Sequence, residues 1–314
     1  MRFEIKVQLS KRFPDGVASV IFGRYTITAI PVEKAIGAEA VLAFEDNQGG
    51  ARHPIGEADI ACRLLSLVMN ARVKRSGVRI DVKGITEDAE VLQYDDFLRD
   101  FEPGDLNFYM GATLSMDENL ARQFIRAANP YSFALEFIPS DPTFSFFLLA
   151  VAVECILSQE VVIPHHELDK DAKKCERFCL FITTYLLDDH RTEDERDDKL
   201  FRELLKTVYY SHRSAFVHGG KEVSGAAIQA DKAHSSYFKH ATEGREVKTP
   251  GLAWFAHVVR GSLLGFLRTH ATEWGAPDED LLARLALEKA MLKVKALKAI
   301  REGQEVRFDD IDYR

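Results

Sequence analysis

The spacing of apolar residues in the first part of the chain alternates between the period of strands and that of helices. Five segments have the alternating or β-branched pattern of strands, namely residues 3–9, 17–22, 25–30, 40–44 and 78–82. Residues 57–71 place apolar side chains three and four positions apart, which predicts a helix. A second helix is predicted over 117–128, with Asp117 or Ser115 as its N-cap. Residues 1–140 therefore predict a mixed α/β domain.

Beyond about residue 141 the strand pattern largely disappears. Helical periodicity predicts five further helices, over residues 144–158, 171–187, 195–217, 252–273 and 281–301. The polar segment 222–250 between two of them predicts a loosely built loop. Prolines at 130, 139 and 142 interrupt the pattern, so we place the domain boundary there. The predicted fold class is α+β, with an all-α domain over residues 141–314 following the α/β domain.

Composition and charge exclude several classes of protein. Among the 314 residues, 46% are hydrophobic and 29% are charged, which is typical of a folded globular chain. The net charge of −8 argues against nucleic-acid binding over the whole surface, but it does not exclude a local basic site. The most apolar run, 144–157, is shorter than the roughly 20 residues of a membrane span, and the first residues lack a signal peptide's apolar core. We therefore expect a cytoplasmic protein without a membrane partner.

The segment 209–220 concentrates polar chemistry on one predicted helix. One face of that helix is apolar and forms the predicted core stripe, made of Phe201, Leu204, Leu205, Val208 and Ala215. A second stripe on roughly the opposite side consists of Tyr210, Arg213, Ser214 and Val217. His218 extends this second stripe by one turn. A helix with two such faces has a partner surface or a site on the second one.

The end of this helix places a histidine, which can transfer protons, close in sequence to an arginine, which stays charged. Gly219 and Gly220 can adopt the left-handed conformation that ends a helix, which places His218 in the last turn. Arg213 can hold a phosphate with two hydrogen bonds, and histidine is suited to moving protons near neutral pH. With the Ser214 hydroxyl, these groups suffice for phosphoester cleavage without metal. The alternative interpretation is that Arg213 pairs with an acid and His218 only caps the helix.

Two further groups of residues bear on the site. Glu154 is the single charge between residues 144 and 157, and burying it requires a partner, for which we expect Arg213 or a tyrosine hydroxyl. A position at the rim of the core is the alternative. Cys175 and Cys179 lie four positions apart, but their apolar neighbours favour core thiols over a zinc site, and four cysteines are no disulfide framework. We therefore predict no metal.

The residues 213–218, Arg-Ser-Ala-Phe-Val-His, match the Arg-x4–6-His motif of the HEPN superfamily. The fuller pattern, with Tyr210 three residues before the arginine and Val217 and glycine around the histidine, resembles the Apea-like HEPN branch. The resemblance covers about residues 141–300 and includes the acidic residue of an early apolar helix, here Glu154. It implies a helical bundle that forms a homodimer, often a metal-independent endoribonuclease of phage defence or a toxin, with no cofactor.

The resemblance assigns roles to particular residues. Arg213 and His218 are the implied catalytic pair, and Ser214, Tyr210 and Glu154 are implied to support them. Apart from the resemblance, Lys221 is expected to contact RNA because it lies in the loop after the motif. Attack of a ribose 2′-OH on its own phosphate needs a base on one side and an acid on the other, which two copies of His218 across a two-fold axis supply. The products would be a 2′,3′-cyclic phosphate and a 5′-hydroxyl. Two alternatives stay open, namely a non-catalytic module that binds RNA or protein, and an enzyme held inactive by a regulatory partner protein.

The last predicted helix carries a set of basic side chains, which are Lys289, Lys293, Lys295, Lys298 and Arg301. From the sequence, guidance of RNA and simple solvation explain this basic character equally well.

Overall fold

The computed structural model confirms the predicted α+β class, with an antiparallel sheet followed by mostly helical structure. It describes residues 2–10, 19–22, 24–30, 38–45, 53–76, 103–138, 140–157, 174–186, 198–214, 217–218, 220, 235–239, 246–271 and 275–302. The chain forms two compact units that are interleaved in sequence. The first unit contains residues 1–89, 100–128 and 271–314, and the second contains residues 90–99 and 129–270.

The first unit is built on a five-stranded sheet. Its strands are β1 (Arg2–Leu9), β2 (Ser19–Phe22), β3 (Tyr25–Ile30), β4 (Ala38–Glu45) and β5 (Val73–Arg75). The spatial order is β2-β3-β4-β1-β5, and every neighbouring pair is antiparallel. Val7 and Leu9 are buried whereas Lys6 and Gln8 lie on the other side, as the alternation predicts. The predicted strand over 78–82 lies outside the described residues.

Four of the described helices belong to the first unit with this sheet. These are α1 (Pro54–Met69), α2 (Pro103–Ser115), the first half of α3 (Glu118–Phe137) and the last helix, α8 (Leu281–Arg301). Helices α1 and α2 contact strands of the sheet. The His53 side chain accepts a hydrogen bond from the Gly56 amide and caps α1, which ends at the left-handed Asn70. Asp117 begins α3 by accepting a hydrogen bond from the Asn119 amide, which confirms one of the two predicted caps.

The second unit contains the end of α3 and the elements that carry the motif. They are α4 (Pro142–Ile156), α5 (Lys174–Tyr185), α6 (Asp198–Thr207), a π-helix (Val208–Ser214), β6 (Ser235–Lys239), β7 (Glu246–Pro250) and α7 (Leu252–His270). Aromatic side chains join these helices, since the Phe255 ring lies 5.8 Å from Phe146 and 6.3 Å from Phe178, measured between centroids. None of the helices described here has both the length and the apolar character needed to cross a membrane.

The structure differs from the sequence predictions in several elements. The helix predicted to stop at residue 128 continues through Pro130 to Phe137, because the buried proline is packed inside the unit and this packing offsets its lost hydrogen bond. The segment predicted as a loop contains the antiparallel pair β6 and β7, so the region after residue 141 is not purely helical. The sequence analysis did not predict the short strand β5 or helix α2.

The compact units also divide the chain differently from the predicted boundary at residue 140. The division falls inside α3, between residues 128 and 129, and residues 271–314 belong with the N-terminal sheet. The reason is the packing of α8, whose buried residues Leu281, Leu282 and Leu285 begin a helix that lies against α1. The apolar face of a helix predicts that the helix packs against another element, but it does not predict which element that is.

Candidate functional site

The motif lies where an ordinary α-helix changes into a π-helix. The predicted core stripe is confirmed for Phe201, Leu204, Leu205 and Val208, each of which is buried, while Ala215 lies outside the described residues. From Val208 to Ser214 the chain is a π-helix, not the continuous α-helix predicted over 195–217. Hydrogen bonds in a π-helix connect residues five apart, so positions assigned by the 3.6-residue period rotate relative to one another. Such segments are rare and occur frequently at functional sites.

Arg213 on the π-helix forms an ion pair with Glu154 on α4. The guanidinium Nη2 lies 2.8 Å from the carboxylate Oε2, and the two side chains are 17% and 24% exposed. This contact confirms the predicted partnership, and it places Arg213 against α4 and not on an exposed stripe. A carboxylate in an apolar helix is thus neutralised by a cation from the motif, as the cost of burying a lone charge requires.

Tyr209 completes the surroundings of the Arg213 side chain. The guanidinium carbon lies 5.5 Å from the centroid of the Tyr209 ring, and that ring is 5.2 Å from Phe178 of α5. Burial, followed by the Glu154 carboxylate, raises the pKa of Tyr209 to about 12, so its hydroxyl stays protonated at neutral pH. The sequence reasoning did not select Tyr209, although its position four residues before Arg213 was the available signal.

The ion pair uses part of the hydrogen-bonding capacity of its two members. Arg213 Nε and Glu154 Oε1 are buried atoms without a hydrogen-bond partner among the residues that the structure describes. A guanidinium has five N–H donors, and buried polar atoms in folded proteins normally find partners. The arginine is therefore oriented by Glu154 and Tyr209, while its buried Nε donates to no described residue.

The remaining predicted site residues are distributed around this pair. Tyr210, Val217 and His218 are exposed, with 53% and 45% exposure for the first two. Interaction with the Cys175 thiol of α5 raises the pKa of Tyr210. Gly220 has a φ of 58°, which confirms the predicted left-handed conformation after the histidine. The side chain of Ser214 and the whole of Lys221 lie outside the described residues.

The cysteines of α5 are core thiols in this structure. Cys175 and Cys179 are both buried and unpaired by disulfides, as the sequence reasoning preferred. Burial, with Cys175 as the second cause, raises the pKa of Cys179 to about 12, which suppresses its thiolate form. Across the described ranges, His, Cys, Asp and Glu side chains form no cluster of three or more that could hold a metal ion.

Comparison with known proteins gives no further guide to this site. No protein-family model, curated protein or solved structure matches the chain. The HEPN resemblance therefore stays a prediction that rests on the motif residues 210–219 and on Glu154.

The energetic importance of the ion pair can be measured by a double-mutant cycle. We expect Glu154→Gln and Arg213→Met to show a coupling energy of about 1 to 2 kcal/mol in urea unfolding, because the pair is mostly shielded from water. The matched control is Lys298 with Glu302, which are 3.9 Å apart and largely exposed, and should couple by about 0.5 kcal/mol or less. Equal coupling in the two pairs would show that the motif pair has no special stability.

Proposed function

We propose that this protein is a metal-independent endoribonuclease of HEPN type that acts as a homodimer. The observation that carries the proposal is the oriented Arg213 guanidinium, which is held by Glu154 and Tyr209. A fixed cation that stays partly exposed, here 17%, is suited to binding a phosphate group. The exposed His218 follows five residues later, before a left-handed glycine.

In the proposed reaction each residue has one role. Arg213 binds the phosphate to be cleaved, and Glu154 and Tyr209 are positioning residues that hold its side chain. One copy of His218 removes the proton of the ribose 2′-OH, and the copy from the second subunit protonates the leaving 5′-oxygen. The 2′-oxygen forms a bond to phosphorus as the bond to the 5′-oxygen breaks, so a 2′,3′-cyclic phosphate and a 5′-hydroxyl result.

The test is cleavage of RNA by the purified full-length chain with and without EDTA. We expect cleavage that EDTA does not inhibit, products with cyclic phosphate ends, and a loss of about 100-fold or more in Arg213→Ala. A conservative Arg213→Lys should recover little, because an ammonium lacks the planar arrangement of donors. Cleavage that EDTA abolishes would contradict the proposed chemistry, and so would full activity in Arg213→Ala.

The alternative function is a non-catalytic module that binds RNA or a partner protein. The specific observation in its favour is that Arg213 is only 17% exposed and already has an acidic partner. Under this alternative, wild type and Arg213→Ala are equally inactive, and the substitution alters stability without altering any cleavage. Sedimentation of the wild-type chain with RNA then measures binding directly. Tight binding without cleavage supports the non-catalytic module, because the enzyme hypothesis does not require tight binding.

A further inference from the structure

The last helix of the first unit has a second apolar face that does not pack into the core. The buried face of α8 begins with Leu281, Leu282 and Leu285. On the opposite side, Met291, Val294 and Leu297 are 50%, 66% and 58% exposed. Three large apolar side chains within seven residues form a contiguous exposed patch, which in a folded protein indicates an interaction surface.

The spacing of this patch is that of a coiled-coil seam. Leu287, Ala290, Val294 and Leu297 follow one another at intervals of three, four and three residues. These intervals define the a and d positions of a heptad, with Val294 at a and Leu297 at d. A β-branched residue at a and leucine at d favour pairing of two helices. The surface therefore fits one further helix lying along α8.

The charges beside the seam specify the chemistry of that helix. In this register Lys293 takes a g position and Lys298 an e position, and both side chains are exposed. A second copy of α8 in the parallel orientation would place Lys293 against Lys298, and like charges at these positions disfavour pairing. Acidic side chains at the same positions would pair with Lys293, and with Lys298 in place of its long 3.9 Å contact to the exposed Glu302. Val294 and Leu297 lie between the lysines and provide an apolar contact, which a charged nucleic-acid backbone does not match. This favours a protein partner over a nucleic acid.

We propose that residues 287–301 of α8 are a docking surface for an amphipathic helix of a different protein, with an apolar stripe flanked by glutamate or aspartate. The apolar seam provides the contact area, and the flanking lysines select an acidic partner over a basic one. This inference is independent of the ribonuclease proposal, since it depends on α8 alone.

The probe is a labelled synthetic peptide of three heptads, with leucine at a and d and glutamate at e and g. We expect fluorescence anisotropy to show that the full chain binds this peptide, and that a peptide with lysine at e and g binds about tenfold or more weakly. The double variant Val294→Gln and Leu297→Gln should lose binding while circular dichroism stays unchanged. Ile21→Gln is the matched control, because Ile21 is 65% exposed on β2 of the same unit.

A reversal of charge gives the sharper test. The variant Lys293→Glu with Lys298→Glu should bind the lysine peptide more tightly than the glutamate peptide. This reversal is expected only if these two side chains contact the bound helix. Equal binding of both peptides, or binding of neither, overturns the proposal. So does analytical ultracentrifugation showing a self-associated chain that Val294→Gln and Leu297→Gln dissociate, because a second copy is then the occupant. Tighter peptide binding by a chain ending at Glu302 would assign the surface to the chain's own last residues, and would likewise overturn it.

Discussion

His218→Ala is expected to reduce RNA cleavage by about 10³-fold or more and to leave the fold intact. General acid–base catalysis contributes about 10² to 10⁴ in rate, and in the proposed dimer one substitution removes both the base and the acid. The His218 side chain is exposed, and substitutions at exposed positions change the free energy of unfolding by about 0.5 kcal/mol or less. Single-turnover cleavage and thermal denaturation of the same preparations check both statements.

Val217→Ala is the matched control for this experiment. Val217 is the adjacent residue and is 45% exposed, so its substitution disturbs the same turn without removing a proton carrier. A substrate with one 2′-deoxyribose at the cleavage position provides a chemical control, since it lacks the attacking hydroxyl. If His218→Ala cleaves as fast as the wild type, or if the deoxy substrate is cut, the mechanism with paired histidines is wrong.

The contact that holds the motif together was partly predictable from a few residues. Glu154 is a lone charge in an apolar helix, and the cost of burying it requires a cation or a hydroxyl nearby. Arg213 and a tyrosine hydroxyl were the two partners that the sequence offered, and the structure has the 2.8 Å ion pair with Arg213. The apolar stripe through Phe201 and Val208, although buried as predicted, placed Arg213 on the opposite side of its helix and so did not predict this contact. The cost of an unpaired charge predicts that a partner exists, and the helical period alone does not say which residue it is.

The local conformation at the motif could not be predicted in the same way. A π-helix from Val208 to Ser214 shifts the side chains away from a 3.6-residue period, and no residue type in the sequence specifies hydrogen bonds between positions five apart. Tyr209, whose ring lies under Arg213, was overlooked although its spacing of four residues from that arginine was a usable signal. The sequence pattern likewise could not predict which face of α8 packs against the first unit. That helix has two apolar faces, and both have the spacing of a buried helix face.

A buried ion pair in the first unit provides the second large expected effect, which is on stability. Arg24, in the turn between β2 and β3, forms ion pairs with Glu57 of α1 and with Asp280 before α8. The Tyr25 hydroxyl donates a 2.8 Å hydrogen bond to Glu57, whose side chain is fully buried, and burial followed by the Glu57 carboxylate raises the pKa of Tyr25. The sheet, α1 and the segment before α8 thus meet at one cation.

We expect Glu57→Ala to lower the free energy of unfolding of this unit by about 3 to 5 kcal/mol. Removing Glu57 takes away one of the two carboxylates paired with Arg24, whose side chain is only 6% exposed, and it also removes the acceptor of the Tyr25 hydroxyl. The measurement is hydrogen exchange of α1 and β3 peptides across a urea series, because it reports this unit separately from the second.

Asp59→Ala is the matched control, two residues away on the same helix. Its partner Arg75 lies 2.9 Å from it, but the side chains are 39% and 30% exposed, so the loss should be about 1 kcal/mol or less. The double variant Arg24→Met with Glu57→Leu should recover most of the stability lost in Glu57→Ala, because it removes both buried charges and replaces them with apolar volume. Asp280, at 27% exposure, can then be hydrated. If the double variant is as unstable as Glu57→Ala, lost packing and not the loss of a carboxylate beside Arg24 explains the effect.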